Sequence, residues 1–119
     1  MADKRFPARV YGVGEEPDPR FSLANERTFL AWIRTSLALL AVGIAIEALR
    51  LQINPTLRFV VAAIFVVLAA LAAVSAWLTW ARAEKAMRLG QPLPGPRLAP
   101  VLVVGVVVAV VLMAVGMFV

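Results

Sequence analysis

Arg20, Arg27 and Arg34 recur every seven residues, a spacing that drifts only about 20° per step around an ideal α-helix. Between and beyond them, at steps of three and four, stand Ala24, Ala31, Ala38, Ala41, Ala45 and Ala48. From Ala24 onward one helix face is thus a stripe of Ala and Arg alone. The chemistry open to such a stripe is electrostatic: fixed positive charge gathers anions, and no bond is made or broken. Two arrangements would use it. In one, the small side chains let another helix approach closely while the arginines snorkel to lipid headgroups. In the other, the stripe lines a water-filled pore built from several copies, with Arg20, Arg27 and Arg34 ringing its mouth. Both call for tight helix packing, and self-association supplies it.

Covalent chemistry has no such foothold. The chain contains neither Cys nor His, which removes disulfides, thiol nucleophiles and the commonest transition-metal ligands. Neither paired carboxylates, nor a nucleophile triad, nor a phosphate-binding loop stands out in the sequence. The expectation is a protein that is not an enzyme, with no catalytic residue, metal or cofactor. Glu47 reads as an interfacial acid paired with Arg50 or Arg58, and Glu26 as an acid facing Arg82 and Lys85 on the neighbouring helix.

The elements that must carry these residues follow from hydropathy. A 119-residue chain that is 62% apolar and 16% charged has more apolar surface than one water-soluble core of its size can hide. Phe59 to Ala81 and Leu98 to Val119 carry no charge, and each compares with the roughly 20 residues that cross a bilayer. Thr35 to Ile46 is a shorter run that spans only with its charged flanks near the interfaces. The fold class expected is all-α, with three transmembrane helices over about residues 22–52, 57–89 and 98–119: a long hairpin, then a third Val-rich helix, assembled as an oligomeric bundle. Ser22 is the expected cap of the first helix, Asn54 and Pro55 the turn, Gly90 and Pro92 the stop of the second, and Pro100 the start of the third. Gly105, Ala109 and Gly116 are its close-packing positions. Residues 1–21 read as a flexible tail, and with no apolar stretch within signal-peptide distance the first helix is expected to be an anchor. From the turn, Trp32 is expected level with Trp77, Arg34 near Ser75, and Glu26 near Arg82 and Lys85. The protruding end of the hairpin, with Glu26, Arg82, Lys85 and Arg88, would form a charged stub.

Orientation follows from the basic residues. Ten Lys and Arg lie in the segment before or opening the first span and in the connection between the second and third, against Arg50 and Arg58 at the first connection. The expectation is an N-terminus in the cytoplasm and a C-terminus outside, with Trp32, Trp77 and Trp80 at the inner headgroup level. The net charge of +5 is then a topology signal rather than a sign of nucleic acid binding.

Within Pro19 to Leu39 lies the run Leu-Ala-Asn-Glu-Arg-Thr-Phe-Leu-Ala-Trp-Ile-Arg-Thr-Ser, including Asn25, Glu26, Arg27, Thr28, Phe29, Leu30 and Trp32. It resembles the signature of the YidH family of small bacterial inner-membrane proteins, a domain of unknown function. That domain is similar in turn to the membrane part of the eukaryotic vacuolar transporter chaperone complex, in which polyphosphate passes through a pore of packed three-helix subunits. The resemblance implies a multi-pass inner-membrane subunit in a homo-oligomer, a pentamer for preference. It also implies a phosphate-rich polyanion as partner, met by basic residues at the positions of Arg20 and Arg27. A non-conducting membrane subunit that docks a cytoplasmic partner on the charged stub is the other expectation.

Overall fold

The computed structural model describes residues 4–95 and 97–119, so the first three residues of the expected tail lie outside the described residues. Four helices follow in order: α1 (Ala8–Tyr11), α2 (Pro19–Leu49), α3 (Pro55–Arg88) and α4 (Ala99–Gly116). The last three are long and apolar enough to cross a membrane.

Local chemistry sets their ends. The Asp18 carboxylate accepts the Arg20 N–H at 2.9 Å, and Pro19 occupies the first turn, where a missing N–H costs nothing. The helix therefore starts three residues before Ser22, which is not a cap; its hydroxyl donates instead to Glu84 at 3.2 Å. Arg50 adopts the left-handed conformation at φ 48° and ends α2 short of the expected Gln52. Asn54 restarts the chain, its side-chain oxygen accepting the N–H groups of Thr56 and Leu57 ahead of the α3 body. At the far end of α3, the Gln91 N–H reaches back to the Ala86 carbonyl at 2.8 Å.

The α2/α3 hairpin is closed by small residues and one buried hydroxyl. Ser36 donates to the Ala69 carbonyl at 2.7 Å, and a Cβ on Gly43 would come within 3.0 Å of the Ala62 carbonyl. Two clusters fill the seam: Leu39 with Leu68, Ala69 and Ala72, and Ile46 with Val61, Ala62 and Ala109. Antiparallel to α3, α4 lays Gly105 over Leu68 and Gly116 over Leu57, and Ala109 is buried between them. The expected close-packing positions of the third helix thus meet α3. Its Val103, Val104, Val107, Val110 and Val111 face outward. The Asn54 N–H donates to the Gly116 carbonyl at 3.1 Å, tying the end of α4 to the α2–α3 turn.

The hairpin register differs from expectation by about one helical turn. Gly43 meets Ala62, Ser36 meets Ala69 and Asn25 meets the Trp80 carbonyl, which sets Trp32 level with Ala73 instead of Trp77. The cause is the early stop at Arg50, which moves the centre of the connection toward the N-terminus.

At 31 and 34 residues, α2 and α3 are about 46 and 51 Å long, well beyond the roughly 30 Å of bilayer hydrocarbon. The molecule measures 63 × 24 × 20 Å, and its surplus length gathers at the end bearing the N-terminal segment and the α3–α4 connection, the basic end. The described part of the expected flexible tail is not splayed away from the helices. Arg5 to Glu16 folds back along the last turns of α3, because Arg88 and two tryptophans give it partners there.

Candidate functional site

All eight residues of the stripe, Ala24, Arg27, Ala31, Arg34, Ala38, Ala41, Ala45 and Ala48, are exposed. The opposite side of α2, with Ser36, Leu39, Gly43 and Ile46, is the side turned to α3. The stripe is therefore spare surface, left uncovered by the described residues. Arg20 lies inside α2 rather than before it, but its guanidinium is held by Asp18 at 2.8 Å, and this contact holds the Asp18 carboxyl below its ordinary value. Among the described residues, Arg27 and Arg34 make no ion pair.

The register has its largest consequence at Arg34. Set level with Leu71 instead of Ser75, it lies about six residues, or about 9 Å, further into the apolar run than Trp77. Arg27 comes level with Leu78, near the end of that run. At the opposite end of the run, Arg58 pairs with Glu47 at 3.4 Å, one of the two partners expected for that acid.

The charged stub is arranged differently from expectation. Glu26 is exposed and forms no ion pair among the described residues; Arg82 and Lys85 stand about three and six residues beyond its level on α3. The acid at the hairpin seam is Glu84, only 3% exposed, which accepts from the Ser22 hydroxyl at 3.2 Å and from the Asn25 amide at 3.3 Å. Its position as the lone acid of α3 was the available signal. Arg82 and Lys85 are exposed.

Arg88, 7% exposed, is buried in the stub and acts as a clamp. Its guanidinium donates to the carbonyls of Val13 at 2.8 Å and Tyr11 at 3.0 Å and to the Glu16 carboxylate at 3.2 Å, while its own carbonyl accepts the Glu15 N–H at 2.9 Å. Gly14 takes φ 60° there, and a Cβ on it would strike the Arg88 carbonyl. Arg5 also binds Glu16, at 2.7 Å, and stands 4.3 Å over the Tyr11 ring. Held first by Arg5 and then by Arg88, the Glu16 carboxyl titrates at about 2. Burial, with Glu84 nearby, raises the Tyr11 phenol. Phe6 stacks on Trp77 at 6.1 Å, and Tyr11 meets Trp80 at 6.2 Å. No local pattern announces the contacts to α3, since the segment has no period and each of them spans some 70 residues.

Comparison with known proteins places this architecture. Residues 20–86, which hold nearly all of α2 and α3, match the model of a domain of unknown function, DUF202. The inner membrane protein YidH of Escherichia coli (strain K12) is 46% identical over 87 residues, covering 72% of this chain and 76% of its own. The uncharacterized protein Rv2272 of Mycobacterium tuberculosis (strain H37Rv) is 46% identical over 101 residues, 83% of either chain. No solved structure matches. With three membrane-length helices and this similarity over most of its length, the chain belongs to the DUF202 family of YidH-like membrane proteins.

Proposed function

We propose that the protein is a non-enzymatic, self-associating subunit of the inner membrane whose α2 stripes line a shared conduit for anions, phosphate-rich polymers among them. The observation that carries this reading is Arg34: exposed on an otherwise small-residue face and about 9 Å inside the level of Trp77. An arginine facing lipid near the bilayer centre costs about 2.5–3.5 kcal/mol on insertion scales, and such residues normally face a bundle interior or a water-filled cavity. Several copies arranged with their stripes inward, a ring of five for preference, would give Arg34 water and Arg27 a place at the mouth. Arg20, paired to Asp18, contributes less charge there than sequence spacing suggests. The relative named as an inner membrane protein supports the location, and the basic bias supports a cytoplasmic basic end.

The experiment is flux through the full chain reconstituted in liposomes. Anions should pass in preference to cations, the preference should weaken with salt, and Arg27→Glu with Arg34→Glu should abolish or reverse it while the oligomer persists. Wild-type protein that is silent to both ion classes overturns the conduit. It favours the second reading, a non-conducting subunit whose exposed Arg82 and Lys85 dock a cytoplasmic partner.

A further inference from the structure

Beneath the folded-back N-terminal segment lies an open cavity of about 460 Å³, walled by that segment and by the outer face of α3. Its α3 wall changes character along the helix axis. Trp77, Leu78 and Ala81 end the uncharged run that begins at Phe59, and Arg82 and Lys85 follow within one turn. Arg9 of α1 completes the basic rim, and among the described residues no acid lines the cavity. Among the described residues, the side chains of Arg9, Arg82 and Lys85 make neither a hydrogen bond nor an ion pair, whereas those of the neighbouring Arg5 and Arg88 are both engaged with Glu16.

We infer that this cavity is a binding site for one anionic phospholipid of the leaflet at the basic end. Three uncommitted cations at the edge of an apolar span complement a headgroup phosphate. Below them, Leu78 and Ala81 offer apolar surface to the glycerol and upper acyl chain, beside the Trp77 indole at its preferred interfacial depth. A free phosphate would use the rim and leave this floor wet, so the mixed wall commits the site to a lipid. Basic residues near an anionic membrane surface each add about 1 kcal/mol of attraction, which is about fivefold in affinity. The folded-back segment supplies one of the three, so its docking by Arg88 completes the site. The inference does not depend on whether the oligomer conducts.

The test uses the full chain in nanodiscs with Trp32→Phe, so that emission reports Trp77 and Trp80, and titrates brominated phosphatidylglycerol against brominated phosphatidylcholine of the same chains. Phosphatidylglycerol should associate at least about fivefold more strongly, and inorganic phosphate at matched ionic strength should not displace it. Arg82→Gln with Lys85→Gln should bring the ratio close to one, as should Ala81→Phe, which fills the cavity and leaves every charge. Lys4→Gln with Arg97→Gln removes the same charge elsewhere and should retain the preference. Equal quenching by the two lipids in the parent protein overturns the site. So does an equal loss in the Lys4/Arg97 control, which would mean general surface attraction, or displacement by inorganic phosphate, which would mean a small-anion site.

Discussion

Arg88 shows how one side chain converts a sequence without periodicity into structure. Its guanidinium gathers two carbonyls and a carboxylate from a segment more than 70 residues away. Charged hydrogen bonds of this kind contribute about 1.5–3 kcal/mol each, so Arg88→Gln should loosen residues 11–16 while leaving the hairpin intact. Hydrogen exchange at the Gly12 and Glu15 amides should rise by about tenfold or more, with α2 protection unchanged. Glu16 adds a pH dependence of defined sign. Its carboxyl titrates near 2 when docked, against an ordinary 4.5, so its stabilisation is complete above about 4.5 and is lost as pH falls toward 2. Tryptophan emission should report undocking in that window, and Glu16→Gln should remove its Glu16-linked part. The Arg5–Glu16 half of this arrangement is exposed, so added salt should weaken it at neutral pH.

Each face of α2 has its own composition. The side toward α3 mixes Ser36, Leu39, Gly43 and Ile46, and the stripe opposite is Ala and Arg alone. Lipid offers no hydrophobic drive between helices, so a small-residue face has value only where a backbone approaches it closely. Ala38→Leu or Ala41→Leu should therefore disturb self-association in native mass spectrometry or crosslinking, whereas Val107→Leu, on the exposed Val face of α4, should not. Equal tolerance at all three positions would remove α2 from the subunit interface. A leucine at either Ala leaves the α2/α3 seam untouched, so far-ultraviolet circular dichroism should remain that of the parent.

For the whole molecule, the three long helices alternate in direction, so the N-terminal segment and the end of α4 lie at opposite ends of a 63 Å body. With the basic end in the cytoplasm, a reporter fused after Val119 should be found outside the membrane. A cytoplasmic reporter together with a cytoplasmic N-terminus would require an even number of crossings and contradict the three-span reading.

Span number, fold class and the close-packing residues of α4 were legible in sequence because they depend on local composition: uncharged runs of bilayer length, a proline at a helix start, glycines at packing intervals. The stripe was legible because periodicity on one helix needs no partner to be seen. Tertiary structure alone decided the hairpin register, since stopping α2 at Arg50 instead of near Gln52 shifts every cross-helix level by about one turn. That shift carries Arg34 deeper and separates Glu26 from Arg82 and Lys85. It likewise decided that Glu84, and not Glu26, is the acid buried at the seam, and that Arg5 to Glu16 lies along α3. Those outcomes rest on hydrogen bonds between residues some 60 to 77 positions apart, and no local pattern encodes which distant carbonyl a buried arginine will find.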